Sequence, residues 1–195
     1  MKSLSLSKPH LIIMVGVPGS GRTFFAEKFA ETFRAPYVSR EKIVSLTKND
    51  TDVVDSLAQH QLDELLKTQQ PIIIEGMSDT RAERLELARK ARANGYEALI
   101  VWVQTDPITA KNRFIKDAKL KKIKVSAEDY DKAVKRFSPP LAIEKPVVIS
   151  GKHTYATQAK VVLKKLSTPR AQISTHPTPP VRAESSGGRR NITIR

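Results

Sequence analysis

The stretch Gly16-Val17-Pro18-Gly19-Ser20-Gly21-Arg22-Thr23 constrains this chain more than any other. It follows an apolar, strand-like run, Leu11–Val15, and opens a helix-like run that begins at Arg22. Glycines at 16, 19 and 21 let the backbone turn tightly, so that successive N–H groups converge on one point. The N-terminus of the following helix adds partial positive charge there. Such a place suits phosphate. A Gly-Pro-Gly turn between strand and helix would need the glycines but not this spacing. The pattern therefore predicts a P-loop in which Gly16, Val17, Pro18, Gly19, Ser20, Gly21, Arg22, Thr23 and Phe24 hold a nucleotide and the Thr23 hydroxyl faces Mg²⁺. Arg22 stands where the general pattern has lysine. Guanidinium is planar and bulkier than an ammonium group, yet it keeps the charge and pairs with phosphate. Nucleotide binding is thus expected, and phosphate transfer is left open.

Around this loop, apolar β-rich runs alternate with helical patterns. Strands are expected at Leu11–Val15, Tyr37–Val38, Ile72–Glu75, Ala98–Gln104 and Val147–Ile149. Helices are expected from Arg22 to about Arg34, around Val53–Gln69, over Thr80–Asn94, from a Thr105 or Asp106 cap to about Lys119 and over Ser126–Phe137, with a last helix after the Val147–Ile149 strand ending at Leu166. Strands alternating with helices imply a parallel sheet covered on both faces, and near-continuous apolar strands agree with that. The expected fold is a three-layer α/β/α P-loop domain over residues 1–166 with a five-stranded parallel sheet and a basic helical lid. Residues 167–195, rich in Pro, Ser, Thr and Gly and without apolar periodicity, read as a disordered basic tail.

Charge and cysteine content narrow the chemistry. The net charge is +14, of which the tail carries +4, so the folded part is itself basic and should attract polyanions. With no cysteine there is no disulfide, thiolate metal site or thiol nucleophile, which fits a cytoplasmic protein. No run is long enough to span a bilayer, so no membrane partner is expected. His10, His60, His153 and His176 lack metal-ligand spacing.

Taken in order, GVPGSGRT, the Ser39-Arg40-Glu41-Lys42 run, IIIEGMSDTRAER and VQTDPITAKNRF resemble the P-loop kinase group of polynucleotide 5′-kinases and zeta-toxin-like kinases, over about residues 9–166. The resemblance implies ATP and Mg²⁺ as cofactors. It makes Glu41 the candidate base that takes the proton from an acceptor hydroxyl, although a charge cluster in a first helical turn would look the same. Glu75 falls where such kinases keep an acid near the Mg²⁺ water shell. Asp79 is a second candidate there, or alternatively the cap of the helix from Thr80. Arg84 is either the arginine that the family often carries on this helix or a surface residue. The segment Lys111–Lys124 holds seven Lys and Arg against Asp117 alone and matches the lid. Arg113 is its candidate catalytic cation, with Lys116 beside it.

The resulting expectation is an ATP-dependent kinase whose acceptor is a hydroxyl on a small molecule or a nucleic-acid end. Two alternatives remain: an ATP-binding module without transfer activity, because of Arg22, and a basic nucleic-acid-binding protein using lid and tail. The absence of an Asn-Lys-x-Asp element favours ATP over GTP.

Overall fold

The computed structural model describes residue 6 and residues 8–47, 51–121 and 125–167. In chain order the elements are β1 (His10–Val15), α1 (Arg22–Phe33), β2 (Tyr37–Ser39), α2 (Arg40–Leu46), α3 (Thr51–Leu66), β3 (Ile72–Glu75), α4 (Arg81–Ala93), β4 (Glu97–Gln104), α5 (Pro107–Leu120), α6 (Ala127–Arg136), a 3₁₀ turn (Ala142–Glu144), β5 (Val147–Ser150) and α7 (Tyr155–Leu166). The strands form one sheet in the order β2-β3-β1-β4-β5, and every pairing is parallel. The α/β fold is the one expected.

Side chains alternate across a strand, and here both faces are covered. Ile12 and Met14 of β1 join Phe25 and Phe29 of α1 and Val162 of α7 in one core. Leu11, Ile13 and Val15 join Leu62 and Leu66 of α3 and Leu87 and Ala91 of α4 in the other. This is why β1 reads as an unbroken apolar run. On α1 the spacing 25, 29, 33 stacks three phenylalanine rings, with centroids 5.4 and 4.6 Å apart, along the face that meets the sheet. Burying each of Phe25 and Phe29 contributes on the order of 1.5–3 kcal/mol.

Helix starts follow local chemistry. Thr80 and Glu83 make a reciprocal capping box for α4, Ser126 and Asp129 make another for α6, and Asp106 accepts from the Thr109 N–H with Pro107 opening α5. Thr80 is thus the cap of α4, and Asp79 is not. The sequence reading places one helix around Val53–Gln69 after β2. The structure has two, because Ser39 accepts from the Lys42 N–H and starts α2 directly at the end of β2. Of the expected tail only Ser167, which ends α7, lies among the described residues, and Lys122–Lys124 of the basic segment also fall outside them.

Strand order changes direction at β1: β2 and β3 lie on one side of it and β4 and β5 on the other. The crevice beyond the C-terminal ends of the strands at such a point is where open α/β sheets take ligands. The loop 16–21 leaves β1 at that place.

Candidate nucleotide site

The loop's shape depends on two glycines that neighbours hem in. Gly19 sits at φ +74°, and a Cβ there would lie 2.1 Å from the Ala110 carbonyl oxygen of α5, so only glycine fits. Across the loop, a Cβ on Gly151 would come within 2.0 Å of the Ser20 carbonyl oxygen. That carbonyl accepts from the Thr105 hydroxyl at 2.8 Å. The turn after β5 and the end of β4 therefore grip the loop from behind while α5 closes on its tip. At the entrance to α1, Gly21 supplies a left-handed N-cap without a side-chain acceptor, which leaves first-turn N–H groups for an anion.

Arg22 does not project freely. Its Nε donates to Glu75 Oε1 at 3.1 Å, and its Nη1 donates to Asp79 Oδ1 at 3.0 Å and to the Gly16 carbonyl at 2.6 Å. Glu75 is buried and accepts twice more, from the Thr23 hydroxyl at 2.5 Å and from the Tyr37 hydroxyl. Burial pushes the Tyr37 phenol far above its ordinary pKa, and the Glu75 charge and hydrogen bond push it further the same way. It stays a donor. The Thr23 hydroxyl donates its hydrogen bond to Glu75 and so keeps only acceptor capacity in the cleft. Thr23 therefore suits a hard cation such as Mg²⁺, whereas Glu75, with donors on both oxygens, suits orienting Thr23 better than ligating a metal itself. Among the described residues no group of three or more His, Cys, Asp or Glu is arranged to hold a metal on its own.

These residues border a cleft of about 990 Å³. Pro18, Gly19, Gly21, Arg22, Thr23 and Phe24 line it. Of the other loop positions, Val17 faces a separate hollow beside β4 and β5, Ser20 is fully buried, and Gly16 contributes its carbonyl to Arg22. From α5, Arg113 reaches the same cleft and donates to the Gly151 carbonyl at 2.9 Å, and a Cβ on Gly21 would lie 3.9 Å from its Nη1. Lys116 lines the cleft one turn on. Glu41 lies at the rim, more than half exposed, where it accepts from Lys121 at 2.8 Å and raises that ammonium group's pKa. Lys152 pairs with Asp106 at 2.6 Å, and that hydrogen bond, followed by those from Thr109, holds the Asp106 carboxyl far below the usual range.

Arg84 overturns one of its two expectations, that of a surface residue. It is buried on α4, where Nε and Nη2 make a two-pronged pair with Glu144 at 2.7 and 3.1 Å and Nη1 donates to the carbonyls of Ser78, at 3.1 Å, and Ser138, at 2.8 Å. It ties the segment after β3, which carries Asp79, to the segment before β5. Sequence reasoning also passed over Tyr37, Arg136 and Gly151, none of which stands in a local pattern that marks its partner.

The chain matches the model of a known family, described as an AAA domain, over residues 11–140. The chain belongs to that AAA-domain family. Among solved structures, this AAA domain is similar to a gluconokinase from Sinorhizobium meliloti 1021, with 12% identity over 83% of this chain and 93% of that one and a TM-score of 0.58. It is similar to Kti12 of Chaetomium thermophilum, solved in complex with ADP-AlF3, with 16% identity over 80% of this chain and 96% of that one and a TM-score of 0.58. It is also similar to a chain of the Pnkp1/Rnl/Hen1 RNA repair complex, with 18% identity, a TM-score of 0.59 and coverage of 68% of this chain but only 45% of that one. At such identities the likeness establishes a P-loop, kinase-like fold. No curated protein matches the chain. Among the described residues no helix is long and apolar enough to cross a membrane.

Proposed function

We propose that this AAA domain is an ATP-dependent phosphotransferase that moves the γ-phosphate of ATP onto a hydroxyl. One observation carries the reading: cations from two separate elements, Arg22 of the loop and Arg113 and Lys116 of α5, border the same cleft as the open N-terminus of α1. A loop that only bound phosphate would not need the second set. Backbone N–H groups of the loop hold the phosphates in place, while Arg113 and Lys116 offset the charge that builds on the leaving side. Thr23 is the ligand this chain offers to Mg²⁺, which would neutralise phosphate charge when bound. The similarity to a gluconokinase and to a chain of an RNA repair complex makes polyols and nucleic-acid ends the acceptor classes to try first.

A second reading, nucleotide binding without transfer, has its own support in the Arg22 clasp, which occupies the loop's cation with two carboxylates. Calorimetry with ATP, followed by ADP production in the presence of 5′-hydroxyl oligonucleotides, nucleosides, aldonates and polyols, separates the two. The kinase reading expects ADP and a phosphorylated acceptor in equal amounts. Micromolar binding with no acceptor-dependent ADP would favour the second.

A further inference from the structure

Asp79 lines the main cleft and is linked through Arg136 to a second cavity. On one side its Oδ1 accepts from Arg22, inside the phosphate loop. On the other its Oδ2 lies 3.8 Å from Arg136 Nη2, which also approaches Glu83 at 3.5 Å. Arg136, Arg40 and Gly76 are shared walls: they line the main cleft and also a second hollow of about 350 Å³, which runs between the ends of β2 and β3 and the helices α3 and α4. That hollow is polar, with Asp55, Gln59, Glu83, Glu86 and Lys90 around it, and has room for a small hydrophilic molecule or the terminal unit of a longer one. Asp79 lines the main cleft beside the phosphate loop, and Arg136, which lines both cavities, lies 3.8 Å from its other oxygen, so a hydroxyl entering the cleft from the second hollow would pass close to this carboxylate. Glu41 is differently placed, since its carboxylate is engaged by Lys121 at the exposed rim.

Resting on the phosphotransferase reading, we propose that Asp79 is the catalytic base and that the hollow behind Gly76 holds the acceptor. The Arg22 clasp then couples binding to chemistry. Phosphate competes with Asp79 for the guanidinium, and when Arg22 turns to the nucleotide Oδ1 loses that donor and becomes a free acceptor, while Oδ2 keeps the longer contact with Arg136 at 3.8 Å. In the transfer, the acceptor O–H gives its proton to Asp79, the acceptor oxygen forms a bond to the γ-phosphorus, and the bond from that phosphorus to the β,γ-bridging oxygen breaks. Its electron pair leaves with ADP, and the proton on Asp79 later passes to water. The products are a phosphate ester and ADP.

Asp79→Asn keeps the shape of the side chain and removes the anion. In the full chain it should bind ADP at least as tightly as the parent protein, and up to about tenfold tighter, because one of the two carboxylates that compete for Arg22 is gone and only Glu75 remains. In the same protein kcat should fall on the order of 10²–10⁴, the range for losing a positioned base. Asp79→Ser, made in parallel and checked for an unchanged melting temperature, should behave alike and guards against a folding defect in the first variant. A structural role for Asp79 would instead weaken ADP binding and kcat together, and that result overturns the assignment. So does a parent-like kcat in both variants, or a loss of kcat that follows Glu41→Gln instead. If the parent protein itself transfers nothing to oligonucleotide, nucleoside, aldonate or polyol hydroxyls, the phosphotransferase reading fails and takes the base with it; retained transfer in Asp79→Asn fails the base alone.

Discussion

Replacing Glu144 by alanine should cost this fold a large part of its stability. The Arg84 side chain is fully buried and Glu144 nearly so, and the two are joined at 2.7 and 3.1 Å. Without Glu144 the guanidinium keeps only the carbonyls of Ser78 and Ser138, with that of Asp79 at a longer 3.4 Å. Carbonyl dipoles do not neutralise a charge cut off from water. Breaking a buried pair from one side costs about 3–5 kcal/mol, a large fraction of the roughly 5–15 kcal/mol that holds a typical domain together. At about 2–4 °C per kcal/mol for a chain of this size, the melting temperature should drop by roughly 6–20 °C. Thermal and urea unfolding of the full chain would measure it. The double change Arg84→Met with Glu144→Leu should recover most of the loss, since removing both charges removes the desolvation penalty as well. The pH dependence follows from the carboxyl. Burial alone would raise its pKa, but the hydrogen bonds from Arg84 and the Leu141 N–H, together with the Arg84 charge, hold it below the ordinary value. A depressed folded pKa gives stability that is complete above the unfolded value, near 4.3, and is lost as pH falls through the folded one. The gap between parent and Glu144→Gln should therefore be widest near neutrality and close in acid. A loss below about 1 kcal/mol in Glu144→Ala, or a double variant no more stable than the single, would refute the reasoning.

Gly151→Ala should distort the loop from behind, because the added methyl would fall 2.0 Å from a backbone oxygen that cannot yield without moving Ser20; ATP affinity by calorimetry should drop at least tenfold, about 1.4 kcal/mol. Arg22→Ala should weaken ATP by at least as much and also lower the melting temperature, since buried Glu75 would be left with only the Thr23 and Tyr37 hydroxyls. Arg22→Lys should retain binding, and unchanged ATP affinity in Arg22→Ala would show that the loop does not work as proposed.

What this chain settles in its own local order is the phosphate loop and the sheet. Glycines at 16, 19 and 21 between an apolar run and a helix specify a backbone shape through torsional freedom alone, and strands covered on both faces need apolar residues at every position, so β1 and β3 are visible as uninterrupted runs. Caps such as Thr80 with Glu83 and Ser126 with Asp129 are equally local, spanning one helical turn. The working charges are not. Arg84 reads equally as a family arginine or a surface residue until the fold brings Glu144 to it from 60 residues away, and Asp79 as an acid near Mg²⁺ or a helix cap until Arg22, 57 residues back, takes its carboxylate. Gly151 stands in no local pattern that singles it out, and Ser20 and Thr105 close on it only in the assembled fold. A side chain's charge and size are written in its own letter, but whether the charge is paired, buried or free depends on which distant groups the packed sheet and helices place within about 3 Å of it, and only the assembled tertiary structure decides that.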